Sequence, residues 1–252
     1  NSVSAFDSRY GSTETDPDHN AFFSGRANVN FTPAVQLDLR AYYTHSVVDY
    51  DGYPPPDYVF ADQADFETVH QFVDYSGLNF DLAGGRLKNR IDYQYTLTDR
   101  ADYLNTEPVI VQNDAYSGAN SRVEYQGTWA IADGYQLVFG AQQERSWMNG
   151  APYAPAHAAT ADNSEYAQVQ ATPAKGLTIT AGERHDHYDS FGQHYTGQAA
   201  VAYALPTSTV LRASWAQGYK APSLYQLYGP YGNTGLNPEG SVGGDVGVEQ
   251  HL

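Results

Sequence analysis

Apolar and polar residues alternate along most of this chain. In VQLDLRAYYT, Val35, Leu37, Leu39, Ala41 and Tyr43 alternate with Gln36, Asp38, Arg40, Tyr42 and Thr44. LKNRIDYQYTLT sets Leu87, Ile91, Tyr93, Tyr95 and Leu97 against Lys88, Arg90, Asp92, Gln94 and Thr96. RVEYQGTWAI sets Val123, Tyr125, Trp129 and Ile131 against Arg122, Glu124, Gln126 and Thr128. Successive side chains of a strand point to opposite faces, so a period of two predicts half-buried β-strands. Further strands are expected at about 20–31, 70–82, 135–147, 164–173, 177–188, 194–204, 209–218 and 242–252, which makes about eleven. No segment predicts a helix.

The connections alternate in length. Tight turns fall at TPA (32–34), AGG (83–85), ADG (132–134), PAKG (173–176) and LPTS (205–208). Between them lie long polar, aromatic loops at about 49–66, 99–119, 148–163 and 219–240, with a short one near 189–193. Strands of about ten residues with short turns at one end and long loops at the other are the pattern of a transmembrane β-barrel. The expected fold is therefore all-β, an antiparallel transmembrane barrel segment. Its Leu, Ile, Val, Tyr and Trp positions would face lipid, and Arg, Asp, Gln and Thr would face a wet lumen. The inverse arrangement, an apolar interior under a polar exterior, fits the alternation equally well. Tyr at strand ends (Tyr43, Tyr93, Tyr95, Tyr125, Tyr135) favours lipid, because amphipathic rings collect at membrane interfaces.

Composition narrows the functional classes. The 252 residues hold 22 Tyr, 10 Phe and 3 Trp, no Cys and one Met, with 29 acidic against 13 basic residues. A net charge of −16 argues against a nucleic-acid partner and leaves cation binding as a reading of the acidic loops. No stretch approaches the roughly 18 apolar residues of a membrane-spanning helix. No secretion signal is visible at Asn1, so a mature or excised segment is expected.

One segment carries a specific resemblance. SWAQGYKAPSLYQLYGPYGNTGLNPE contains Tyr219, Lys220, Ala221, Pro222, Leu224, Gln226, Leu227 and Tyr228, then Gly232, Asn233, Leu236, Pro238 and Glu239. It resembles a strand and extracellular loop of TonB-dependent outer-membrane receptors. Within that superfamily RAYYTHSVVDYDGYPPPDYVFAD is similar to a segment of the cobalamin (vitamin B12) receptors, with Tyr50 and Asp51 as the paired residues and Asp62 as the later acid. DPDHNAFF resembles the preceding loop, whose candidates are Asp16, Asp18 and Asn20.

The resemblance implies that these loops bind calcium, which orders them for corrinoid capture, so Asp16, Asp18, Tyr50, Asp51 and Asp62 are the expected metal ligands. His19 and Ala21 depart from an acid-and-glycine pattern there. It also implies a barrel of about 22 strands around an N-terminal plug that engages TonB. Residues 1–252 are then expected to be a middle part of the barrel, with the plug and the C-terminal strands outside it. The implied activity is TonB-dependent uptake of a corrinoid across the bacterial outer membrane, with outer-membrane lipid and the TonB complex as partners and no enzymatic chemistry. A ferric-siderophore receptor and a passive porin or structural β-protein are the alternatives.

Other constellations are weaker. Tyr53, Tyr58, Tyr228 and Tyr231 are candidates to pack on a large apolar ligand, with a merely interfacial role equally open. ERHDHYD offers His185 and His187 at alternate positions, yet no third and fourth ligand has metal-site spacing. His157 and Ser164 are an expected coincidence in a chain rich in Ser, not a hydrolase pair.

Overall fold

The structure, a computed structural model, describes residues 18–53, 56–106, 108–151 and 157–250. Eleven strands follow one another: β1 Asp18–Thr32, β2 Val35–Gly52, β3 Ala61–Leu82, β4 Leu87–Thr106, β5 Val109–Ala132, β6 Tyr135–Ala151, β7 Ala158–Ala174, β8 Leu177–Tyr188, β9 Gly192–Ala204, β10 Thr209–Lys220 and β11 Glu239–Gln250. They form one sheet in sequence order, and every neighbouring pair is antiparallel. All eleven expected strands and all five tight turns are present. Gly134 and Gly176 close two of these turns at φ 78° and 79°, a left-handed conformation that residues with a Cβ rarely adopt.

Several strands are longer than the alternation indicated. β3, β4 and β5 have 22, 20 and 24 residues, about twice the 9–11 needed to cross a bilayer. The segments expected to be loops at 49–66, 99–119 and 148–163 are in large part paired strand. Beyond the bilayer neither face meets lipid, so nothing there requires every second residue to be apolar. The second departure is α1, Leu224–Tyr228, in a segment for which no helix was expected.

Burial resolves the two-way choice of faces. Leu37, Leu78, Ile91 and Tyr125 are register partners in one row across β2 to β5. Ile91 on that face is 45 % exposed while its neighbour Asp92 is 2 % exposed. The same contrast separates exposed Leu39, Val123, Trp129, Val201 and Trp215 from buried Asp38, Glu124 and Asp186. A sheet curving towards closure crowds the side chains on its inner face, so the polar face is the inner one. It is stitched by ion pairs: Arg26 and Arg40 to Asp38, Arg90 to Asp92 and Glu124, and Arg184 to Asp186. Among the described residues the buried hydrophobic side chains are only Ala119, Met148, Ala158, Leu224 and Leu227. A soluble sandwich would bury its Leu, Ile and Val face, and this sheet presents that face outward.

Candidate cation and ligand site

The functional geometry gathers at the long-loop end of β2 to β5. Asp51 lies at the register break between Tyr50 and Gly52, and its carboxylate accepts a hydrogen bond from the Gln63 backbone N–H at 3.0 Å. It therefore fastens β2 to β3 where the strands part. Asp18 opens β1 as the register partner of Val48, on the same face as Tyr50, and accepts from the Ser46 hydroxyl at 3.5 Å. The Asp62 backbone belongs to β3. Asp16 lies outside the described residues.

Register brings in acids that sequence reasoning did not select. Tyr50 faces Asp65 across β2 and β3, Glu67 faces Asp102 across β3 and β4, and Asp102 faces Asp114 across β4 and β5. Tyr50 donates its hydroxyl to Asp102 at 3.5 Å, and Asp65, 3 % exposed, accepts from the Asn105 backbone at 2.8 Å. Arg100 reaches Glu67 at 2.6 Å and Asp102 at 3.4 Å. Arg100 thus pairs with two of the four carboxylates, Glu67 and Asp102. Burial, then the hydrogen bond and charge of Asp102, push the Asp114 carboxyl up to about 6. Burial, followed by the charges of Asp102 and Asp65, pushes the Tyr50 phenol up to about 12. Signals for this cluster existed in the sequence as scattered Asp residues, but only strand register shows that they meet.

A cavity of about 430 Å³ opens beside this cluster, lined by Arg100, Asp102, Asp114, Tyr116, Met148 and Tyr225. Tyr225 arrives from α1 and meets Tyr116 edge-on, with ring centroids 5.7 Å apart. The loop after β10 is folded for this contact. Ser223 and Gln226 form a reciprocal capping box that starts α1, and Leu224 packs with Tyr228 against Met148 and Ala158. The S-x-x-Q spacing was the available sign of this helix.

The four selected tyrosines are not brought together. Tyr53 is exposed with its ring edge-on to Phe60, Tyr58 is exposed at φ 49°, Tyr231 is fully exposed, and Tyr228 serves the cluster under α1. Tyr116 and Tyr225 line the cavity instead. His185 stacks on Tyr195 at 4.3 Å, Ser164 donates to Asp162, and His157 contacts Asn149. Among the described residues no three His, Asp or Glu side chains converge as a ready metal site.

An open sheet of long antiparallel strands, apolar outside and ion-paired inside, with acids and aromatics concentrated at its long-loop end, defines the wall of an outer-membrane β-barrel. Residues 2–252 match the family described as TonB dependent receptor-like, beta-barrel, and the chain belongs to that family. Proteins of this family are outer-membrane receptors and transporters rather than enzymes. The chain is 26 % identical over 221 residues to a vitamin B12 transporter, BtuB, of Photobacterium profundum, covering 84 % of this chain and 33 % of that protein. Among solved structures it is similar to the siderophore receptor PirA from Pseudomonas aeruginosa, with a TM-score of 0.79, 18 % identity and 94 % of this chain covered against 44 % of that one. The copper transporter OprC gives a TM-score of 0.70 at 14 % identity, covering 97 % of this chain and 45 % of that one. These structures share the fold, and the chain spans about a third of the B12 transporter's length.

Proposed function

We propose that the full-length protein carrying this chain takes up cobalamin or a related corrinoid through a TonB-dependent cycle, and that calcium orders the extracellular ends of β2 to β5 for capture. The observation that carries this reading is the acid-rich strand end, Tyr50 and Asp51 beside Asp65, Asp102 and Asp114, opening on a cavity walled by Tyr116 and Tyr225. Calcium takes six to eight oxygen ligands, and mutual repulsion among these carboxylates is relieved by a bound cation. In this reading the ion draws Asp51, Asp62 and the neighbouring acids together, since none of the described acids stands three to a point without it. The aromatic walls then receive a large, partly apolar ligand. The sequence likeness to a vitamin B12 transporter over most of the chain supports the corrinoid as that ligand.

Capture precedes release through the lumen, where a plug rearranges when TonB pulls on it, so the residues of this chain supply binding and the lumen wall. A ferric siderophore is the second reading, favoured by the fold-level likeness to siderophore receptors. Its negatively charged forms would meet Asp102 and Asp114 beside a single arginine. The test is equilibrium binding of cyanocobalamin and of a ferric siderophore to the full-length receptor, with calcium and with a chelator. Calcium-dependent cyanocobalamin binding is expected; calcium-independent siderophore binding alone would overturn the reading.

A further inference from the structure

A second cavity lies on the outer face of the sheet, above the lipid-facing rows. Tyr43, Phe72, Leu97 and Trp147 belong to one row of register partners across β2 to β6, an apolar and aromatic belt. Two residues further along each strand, and so on the same face, the row turns polar: His45, His70, Asp99, Ser117 and Asn149. At the short-turn end β4 starts at Leu87 and β5 finishes at Ala132, so Asp99 and Ser117 lie a few residues beyond the roughly 9–11 that cross a bilayer. The polar row is therefore level with the headgroups of the outer leaflet.

A cavity of about 590 Å³ opens at this level, lined by His70, Asp99, Ser117 and Asn149 from the polar row and by Tyr103 from the strand ends above it. Ala101 and Ala115, register partners on β4 and β5, also line it, and their small side chains give it depth. Stacking on Phe66, with centroids 4.8 Å apart and 13° between the planes, fixes the Tyr103 ring. The polar groups are only partly used. The Ser117 hydroxyl donates to one oxygen of Asp99, the Tyr43 hydroxyl and His70 Nδ1 are hydrogen-bonded at 3.0 Å, and Asn149 Oδ1 meets His157 Nδ1 at 2.9 Å. Each therefore keeps a second polar atom: a carboxylate oxygen of Asp99 as acceptor, the Asn149 amide NH₂ as donor, and His70 Nε2 as either.

An aromatic ring beside mixed donors and acceptors suits a pyranose, whose C–H faces are apolar and whose edge hydroxyls both donate and accept. Charge selects against a phosphate headgroup. Arg100, the one arginine of the lining, is already paired with Glu67 and Asp102, and Asp99 would repel an anion. We propose that this cavity binds the uncharged sugar head of a glycolipid in the outer leaflet, whose chains lie down the belt of Phe72, Leu97 and Trp147. A lipid is the source because the cavity stands directly above rows that face the bilayer. The site is on the opposite face from the Asp102 cluster and independent of the corrinoid reading.

The experiment titrates the full-length receptor, held in a sugar-free polyoxyethylene detergent, with three probes and counts retained adducts by native mass spectrometry. Dodecyl maltoside carries an uncharged sugar head on one chain, dodecylphosphocholine carries a charged head on the same chain, and maltose is the head alone. One dodecyl maltoside adduct is expected to be retained at least tenfold more tightly than either of the others. Asp99→Ala should weaken it at least tenfold by removing an acceptor. Ala101→Leu should do the same by filling the cavity with every polar group left in place, which keeps the test open if Asp99→Ala fails to assemble. Equal retention of dodecylphosphocholine would overturn the sugar assignment, and equal retention of maltose would overturn the lipid source. Dodecyl maltoside retention unchanged by both substitutions would overturn the site itself.

Discussion

The bilayer-crossing part of the sheet and its extracellular end obey different rules. In the former, Ile91 and Asp92 are neighbours with opposite environments, and each position is dictated by whether it meets lipid or lumen. At the latter, Asp65, Glu67, Asp102 and Asp114 crowd one face of paired strands that have no lipid to exclude. The first arrangement is what makes a stable wall. The second crowds acids of which Arg100 pairs only Glu67 and Asp102, as expected of a binding surface.

The sharpest way to break this contrast is to exchange charges within one strand. Leu39→Arg places a charge on the lipid side and should lower stability by about 2 to 4 kcal/mol. Arg40→Leu, one residue along, removes one of two arginines on Asp38 and leaves Arg26 in place at 3.1 Å, so about 1 kcal/mol is expected. Unfolding titrations of the full-length receptor in lipid vesicles measure both. Equal losses would contradict the assignment of faces.

At the extracellular end, Leu224→Ala should release α1 from Met148 and Ala158, weakening docking of the loop by about 2 kcal/mol. Barrel melting should stay unchanged while protease cleavage within 229–237 accelerates, because the helix contributes to the loop and not to the wall. A lowered melting point with unaltered cleavage would reverse that assignment.

These regions also differ in how far the sequence reveals them. The wall was legible because lipid imposes a strict period of two and tight turns impose glycine: all eleven strands and their turns follow from residues such as Leu37, Ile91 and Gly134. Which face was outer was legible only through the tyrosines at strand ends and the contrast of short turns with long loops, since lipid outside and an apolar core inside produce the same alternation, and the burial of Asp38 and Asp92 agrees with that assignment. The extracellular end was legible only through resemblance. Asp102 and Asp114 are twelve residues apart and become neighbours through a register that includes an irregularity between Asp102 and Tyr103. Tyr228 was selected with exposed tyrosines although it packs inward, because composition cannot distinguish a loop tip from a loop that folds back on its own capping box.

A subtler effect concerns pH. Asp114 is held protonated up to about 6 by burial and by Asp102. Its folded pKa lies above the ordinary value of 3.8, so the stability it contributes is complete below 3.8 and is lost as pH rises through about 6. Ionisation at neutral pH therefore sharpens repulsion with Asp102 and strengthens the attraction for a cation. The calcium response of ligand binding should weaken by up to about tenfold between pH 7.5 and pH 5, one displaced proton per ion, and Asp114→Asn should flatten this dependence. A pH profile identical in the wild type and Asp114→Asn would remove Asp114 from the calcium response.

The most direct measurement joins the ion to the ligand. Cyanocobalamin affinity of the full-length receptor, titrated with calcium in the wild type and in Asp51→Ala/Asp62→Ala, is predicted to show a calcium-dependent gain that the double variant loses while its barrel still assembles. An undiminished calcium gain in the double variant, or no cyanocobalamin binding by the wild type, would contradict a calcium-ordered corrinoid receptor.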